Sequence, residues 1–387
     1  MRYCDSIFGG LLKRVPRRGF QGIVARHGGD RYTKTLSAWD HLLVMVAAQL
    51  SGAGSLRALA ADWNAHAHHH YHLGSGPVAR STLSDANTKA ARATVFAELF
   101  AALSRDAASW LRREGDAMVR LIDATPIPLP ALCAWATSNG RTRGMKLHVV
   151  YNPQADQPLQ IEVSAANVND ITIGKAFPIE PGATYVFDKG YCDHGWWRQL
   201  DKTGCRFVTR PKANLRLDVV ASLDPPAEAG NGFTILRDEI GHHVAEGTKL
   251  DFPLRRLILA IDDGRVLTLI TNDLDTSALE IGQLYKSRWG IELLFRWIKQ
   301  HLKIRSFLGR CETAIRIQIL TAMIAFLLLR IAARQNRSNL PPIRFAGLVR
   351  RCLFAHKPLA RLDRPPEVHP SKPKSKSAAG QLQLAYV

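Results

Sequence analysis

Four residues at helical spacing, Tyr285, Arg288, Glu292 and Lys299, have the makings of a reactive site. At 100° per residue they fall within an arc of roughly 60° on one face of one helix. Leu284, Ile291, Leu294, Ile298 and Leu302 take the other side, an apolar face that packs on a core. One carboxylate among two cations and a phenol suits a metal ligand beside a bound phosphate. A solvated face with an ordinary i,i+4 pair, Arg288 with Glu292, has the same spacing. What decides between them is what the rest of the chain brings to that face.

Two further carboxylates are placed to join it. Met118 to Asp123 is a short apolar strand carrying an aspartate near its end, and Tyr185 to Asp188 is another. A carboxylate in an apolar strand is costly unless it is paired or binds a cation. Taken singly, either aspartate suits a cap or a turn. Together with Glu292 they make a three-carboxylate set able to converge on a pair of divalent ions. Two such ions about 4 Å apart clamp the attacking and leaving oxygens of a phosphodiester during in-line displacement. Magnesium, bound by oxygen and keeping some waters, fits such a site, with manganese as its substitute. Asp170, Asp193, Asp201, Asp262, Asp263 and Asp273 lie nearer turns or exposed positions and are not preferred.

The elements that must position these acids read as α/β. An all-helical region covers residues 1–115, with apolar stretches at Leu36–Leu50, Ser55–Asn64 and Val95–Leu111. Between them Arg80–Asn87 opens a helix that Ser81, Thr82 or Ser84 can cap. Short helix, turn and capped helix are compatible with a helix-turn-helix docked in a DNA groove. The run HAHHHYH (His66, His68, His69, His70 and His72) has no acid or cysteine at ligand spacing, so an exposed helix end or loop touching DNA is expected there. Strands dominate residues 116–211, where Pro126, Pro128 and Pro130 are expected to stop the first strand's ladder. Residues 212–272 are strand-like and turn-rich, and residues 273–335 return to helix, beginning at Glu280. Within them Ile317–Leu329 is apolar but interrupted by Gln318 and Thr321, too short to span a bilayer. Residues 336–387 end in a Pro-, Lys- and Ser-rich basic tail over 364–378.

The formal net charge is +19, an excess that self-repels and adds nothing to a compact fold. A polyanionic partner is its simplest reason, nucleic acid before an anionic membrane surface. No amphipathic anchor or lipidation signal supports the membrane. The six cysteines are scattered without metal-site spacing, and the N-terminus MRYCDSIFGG lacks a signal-peptide apolar region. A cytoplasmic, reducing location is expected.

Ile122-Asp123-Ala-Thr, Phe187-Asp188-Lys-Gly-Tyr191 and Tyr285-x2-Arg288-x3-Glu292-x6-Lys299 resemble the DDE transposases of the IS4 insertion-sequence family. The last matches that family's Y-R-E-K signature. Phe20–Leu56, with Gly29-Asp30-Arg31 and Trp39-Asp40, looks like the helical domain that precedes the catalytic domain in one branch. The resemblance covers roughly residues 1–335 and is weakest over 212–272. It implies an RNase H-like core interrupted by a β-rich insertion. Asp123, Asp188 and Glu292 would be the catalytic residues, holding two Mg2+ ions. Arg288 and Lys299 would hold terminal phosphates, and Tyr285 would hydrogen-bond one near the cleaved end. Activated water would nick each transposon end, the freed 3′-hydroxyl would form a hairpin, and strand transfer to target DNA would follow. Trp289, Trp196 and Trp197 are candidates by position for an aromatic platform under a flipped base. The implied partners are double-stranded DNA, both terminal repeats and target, and a second copy of the chain in a homodimer. Two rivals share the three acids: a nuclease of the same fold without strand transfer, and an inactive transposase-derived DNA-binding protein.

Overall fold

Helices come first: α1 (Ile7–Leu12), α2 (Arg17–Arg26), α3 (Ala38–Ser51), α4 (Leu56–Ala65), α5 (His70–Leu73), α6 (Arg80–Ala86) and α7 (Ala90–Leu111). The computed structural model describes residues 5–111, 118–140, 142–226, 228–244, 250–302 and 306–362. The basic tail expected over 364–378 lies outside them. α3 is apolar on nearly every side and buried accordingly, and a Ser37–Asp40 capping box fixes its start. α6 is not capped by Ser81, Thr82 or Ser84, which lie inside it; its N-cap is Ala79. The Asn64 side chain bonds both Val78 C=O and Val78 N–H, each at 2.9 Å, beside an N-cap two residues before the earliest one expected.

The histidine run is exposed only in part: His68 and His72 face solvent and His66 is half-buried. His69 and His70 are 3% and 5% exposed. His70 stacks on Trp63 at 4.9 Å, His66 on Phe354 at 4.1 Å, and His69 lies 4.8 Å from His356. Flat rings with apolar faces fill this seam between the N-terminal helices and the segment around Phe354 and His356, and its burial pushes the His69 pKa down to about 4.

The strands are β1 (Val119–Pro128), β2 (Gly144–Asn152), β3 (Gln157–Ala165), β4 (Thr184–Phe187), β5 (Arg206–Thr209), β6 (Arg216–Leu223), β7 (Phe233–Val244), β8 (Leu254–Ile261) and β9 (Val266–Thr271). They form one sheet in the order β3-β2-β1-β4-β5-β9-β8-β7-β6. β1, β4 and β5 run parallel, and every other pairing is antiparallel. α8 (Asp170–Ala176) and α9 (His194–Lys202) make the crossovers; α10 (Ala278–Ser287), α11 (Trp289–His301), α12 (Glu312–Gln335) and α13 (Pro342–Arg351) follow β9. The strand-rich stretch after β5 therefore extends the same sheet through β9, by way of Val208↔Thr271 and Thr209↔Ile270.

β1 does not stop at its prolines. It pairs with β2 as far as Pro128↔Gly144. Leu129 N–H donates to Arg143 O, so odd-numbered amides point at β2 and the amide-less Pro126 and Pro128 point the other way. On that side β4 has already ended, its last pair being Ile122↔Phe187, so no ladder bond is lost.

One hydrophobic cluster runs through the N-terminal helices, one face of the sheet and α10–α13. A second, with Tyr185, Phe187, Trp196, Trp197 and Phe207, seals the other face beneath α9. α12 reaches a mean hydropathy of 1.9, long and apolar enough to cross a membrane, yet 89% of that stretch is buried in the fold. Its polar residues are satisfied there: Gln318 accepts from Leu308 N–H at 2.8 Å and donates to Ser306 O at 2.9 Å, and Thr321 donates to Ile317 O at 2.9 Å.

Candidate active site

Strand register brings the two aspartates together. β1 and β4 place Ile122 opposite Phe187, and β4 and β5 place Phe187 opposite Thr209. The next residues in line are Asp123, Asp188 and Arg210. Two carboxylates and a guanidinium thus stand abreast on neighbouring parallel strands about 4.8 Å apart. Asp123 Oδ1 accepts from Ala124 N–H at 2.8 Å, and Asp188 Oδ1 from Lys189 N–H at 2.7 Å, where Asp188 caps the 3-10 turn Lys189–Tyr191.

The stretch carrying Tyr285, Arg288, Glu292 and Lys299 is two helices rather than one. α10 and α11 meet at Arg288. There Arg288 N–H bonds Tyr285 O and Ile291 N–H bonds Arg288 O, both at 3.1 Å. These i→i+3 bonds tighten the turn, but Arg288 stays right-handed, at φ −54° and ψ −27°. The four side chains therefore keep a common side. Arg288 NH1 donates to Asp123 Oδ2 at 3.1 Å and NH2 to Glu292 Oε1 at 2.6 Å. Glu292 lies in the first turn of α11, where the helix dipole favours a negative charge. Farther along, Lys299 Nζ donates to Thr125 Oγ1 at 2.5 Å, two residues beyond Asp123 on the same strand face.

Burial raises the Asp123 pKa to about 6, with Arg288 opposing and Glu292 and Asp188 adding to the rise. Burial pulls the Arg288 pKa down, but Tyr285, Asp123, Glu292 and Asp188 outweigh it, and the guanidinium is held above its ordinary value. Two of the three predicted carboxylates, Asp123 and Glu292, thus bond one guanidinium, and Asp188 adds to the negative field around it. The Tyr285 hydroxyl is buried without a hydrogen-bond partner of ordinary geometry, and burial raises its pKa against the pull of Arg288 and Arg210.

The family model described as "Transposase DDE domain" matches residues 114–328. The chain belongs to the IS4-type DDE transposases. It is 52% identical over 306 residues to a protein of Sinorhizobium fredii named as transposase y4zB, covering 79% of this chain and 86% of that one. It is 28% identical to a transposase named for insertion sequence element IS5377 of Geobacillus stearothermophilus, covering 62% of this chain and 64% of that one. A second model, a domain of unknown function (DUF4372), matches residues 3–75. Among solved structures, a piggyBac transposase synaptic complex with hairpin DNA aligns over 93% of this chain and 81% of its own, at a TM-score of 0.47 and 9% identity.

DDE transposases use divalent metal ions. In this transposase three hard oxygen donors, Asp123, Asp188 and Glu292, lie at one end of the parallel strands, Asp123 and Glu292 bonded by Arg288 and Asp188 by Arg210. Among the described residues no three acids, histidines or cysteines are arranged as a ready metal cage. Three carboxylates are the all-oxygen donor chemistry that a hard divalent ion takes.

Arg210 is the site residue that spacing alone misses. Its Nε and NH2 meet Asp188 Oδ1 and Oδ2 at 2.7 and 2.8 Å. The signal lay in the parallel strands: β4 and β5 each end one residue before a charge, Asp188 and Arg210. Of the three candidate tryptophans, Trp196 and Trp197 are 2% and 0% exposed in the sheet's second core. Trp289 is 52% exposed, with Arg296 5.5 Å above its ring, and it borders a cavity of about 880 Å3 shared with Arg210, Tyr285, Arg288 and Glu292.

Proposed function

We propose that this transposase moves DNA by a cut-and-paste route, with Asp123, Asp188 and Glu292 holding two Mg2+ ions. The observation that carries the reading is the meeting of Asp123 and Glu292 at Arg288, with Asp188 abreast of Asp123 on the neighbouring strand and held by Arg210. Bound ions would supply charge to activate water and to stabilise the leaving oxygen. The chain's own residues do the rest. Arg288 and Lys299 hold phosphates by charge-assisted bonds, the guanidinium two-pronged and the ammonium as a point charge. Tyr285 offers its hydroxyl to a phosphate near the cut, and Trp289 a face for an unstacked base at a hairpin.

The order β3-β2-β1-β4-β5, antiparallel then parallel, supports an RNase H-like core with β6–β9 as its insertion. We assign DNA binding to the helical region 1–115, the core to 116–211 and 273–335, and to 336–387 a C-terminal region that carries the basic tail. A homodimer synapses both ends, and the protein works in the bacterial cytoplasm at the nucleoid.

The test is a cleavage assay on a labelled duplex carrying the element's own end, with Mg2+ or with EDTA. A Mg2+-dependent nick followed by a hairpin-sized product is expected. Asp123→Asn, Asp188→Asn and Glu292→Gln should each abolish the nick while retaining the duplex in a gel shift. An Asp188→Asn protein that cuts as well as wild type would sink the assignment.

A further inference from the structure

Two arginines of the chain already neutralise the carboxylate set. Arg210 grips Asp188 with both prongs of its guanidinium, and Arg288 spans Asp123 and Glu292. A forked pair occupies both oxygens of a carboxylate. A divalent ion needs those same oxygens, so the two arrangements compete.

The arginines have another place to go. Both line the cavity of about 880 Å3 bounded by Phe233, Leu259, Lys286 and Trp289. Their side chains are 35% and 17% exposed at its rim. A DNA phosphate entering that cavity is an anion of the kind a guanidinium prefers to share. It would release the carboxylates as it takes the arginines.

We propose that Arg210 and Arg288 form a displaceable latch, which keeps Asp188, Asp123 and Glu292 from divalent cations until a DNA phosphate draws the guanidinium groups into the adjoining cavity. DNA and metal then bind cooperatively, each raising the other's affinity by the same factor. This rests on the three acids being metal ligands, as proposed above.

The test titrates Mn2+ into the full chain and reads the free ion by electron paramagnetic resonance. It is done with and without a duplex whose 3′ end is already cut, the duplex alone serving as blank. Wild type should gain about tenfold in Mn2+ affinity when DNA is added, an ordinary size for coupled sites. Arg210→Ala should bind Mn2+ about tenfold more tightly than wild type without DNA, and gain little from DNA. Arg210→Lys keeps the charge without the fork and should fall between.

Lys286→Ala removes another cation of the same cavity, one that bonds Asn231 rather than a carboxylate. It should stay within about threefold of wild type, because exposed charges are screened. Equal gains from Lys286→Ala and Arg210→Ala would reduce the effect to long-range charge and overturn the latch. A wild-type Mn2+ affinity indifferent to DNA would overturn it without any variant. Asp188→Asn separates the two levels. If it leaves the number of ions bound with DNA unchanged, the ligand assignment is wrong. If it removes an ion while DNA and Arg210→Ala change nothing, the assignment stands and the latch falls.

Discussion

Lys299 reaches back to Thr125 Oγ1 from the last turn of α11, which ties the helix to β1 beside the acids. Its ammonium can trade that hydroxyl for a phosphate, since a hydrogen bond to a charged acceptor is worth about 1.5–3 kcal/mol. Lys299→Ala is therefore expected to slow end cleavage about 10- to 100-fold while the carboxylates stay in place; single-turnover kinetics would measure it, and an unchanged rate would remove Lys299 from the site. His148 makes a different prediction. It is fully buried in β2, with Nε2 at 2.8 Å from Ser164 Oγ, and burial pushes its pKa down to about 4. The folded protein thus disfavours the imidazolium. The stability this gives is intact above the unfolded value near 6.5 and is lost as pH falls toward the folded value of about 4. At pH 5 the loss from His148 is about 2 kcal/mol. Denaturant midpoints at pH 7.5 and 5 should differ less in His148→Gln than in wild type.

Among elements, the join between α10 and the extended sheet is tight at Gly282. A Cβ there would stand 2.5 Å from the Phe233 ring. Gly282→Ala should lift α10 off β7 and cost about 1–3 kcal/mol, read as a lower urea midpoint; an unshifted midpoint would mean the helix can slide at no cost. The helix face itself was legible in the sequence, because Tyr285, Arg288, Glu292 and Lys299 repeat at a local period. So were the strands carrying Asp123 and Asp188, whose apolar runs need no partner to be seen. The turn tightened at Arg288 was not legible, since a right-handed residue with i→i+3 bonds keeps the helical period. The run of β1 through Pro126 and Pro128 was hidden too, because it depends on β4 ending first. Arg210 needed the pairing of β4 with β5, a contact between segments that no spacing within either one records.

At the scale of the whole molecule, α12 is the shared centre. It packs on α3, α7, β3 and α11, and Ile324 within it is fully buried. Ile324→Ala should destabilise by about 2–5 kcal/mol, seen as a lower thermal midpoint whose loss is shared by the helical region and the sheet. Residues 118–362 produced alone would leave α12 without α3 and α7, and should bind a hydrophobic dye that the full chain does not. α12 also sets a schedule for the newborn protein. Translation at roughly 5–20 residues per second spends on the order of 10–45 s between the end of α7 and the end of α12. Through that interval the early helices can pack on one another, but the apolar surface that α3 and α7 give to α12 stays open. A gene copy interrupted before codon 312 would therefore yield not a working DNA-binding fragment but a sticky one, a substrate for chaperones and proteases.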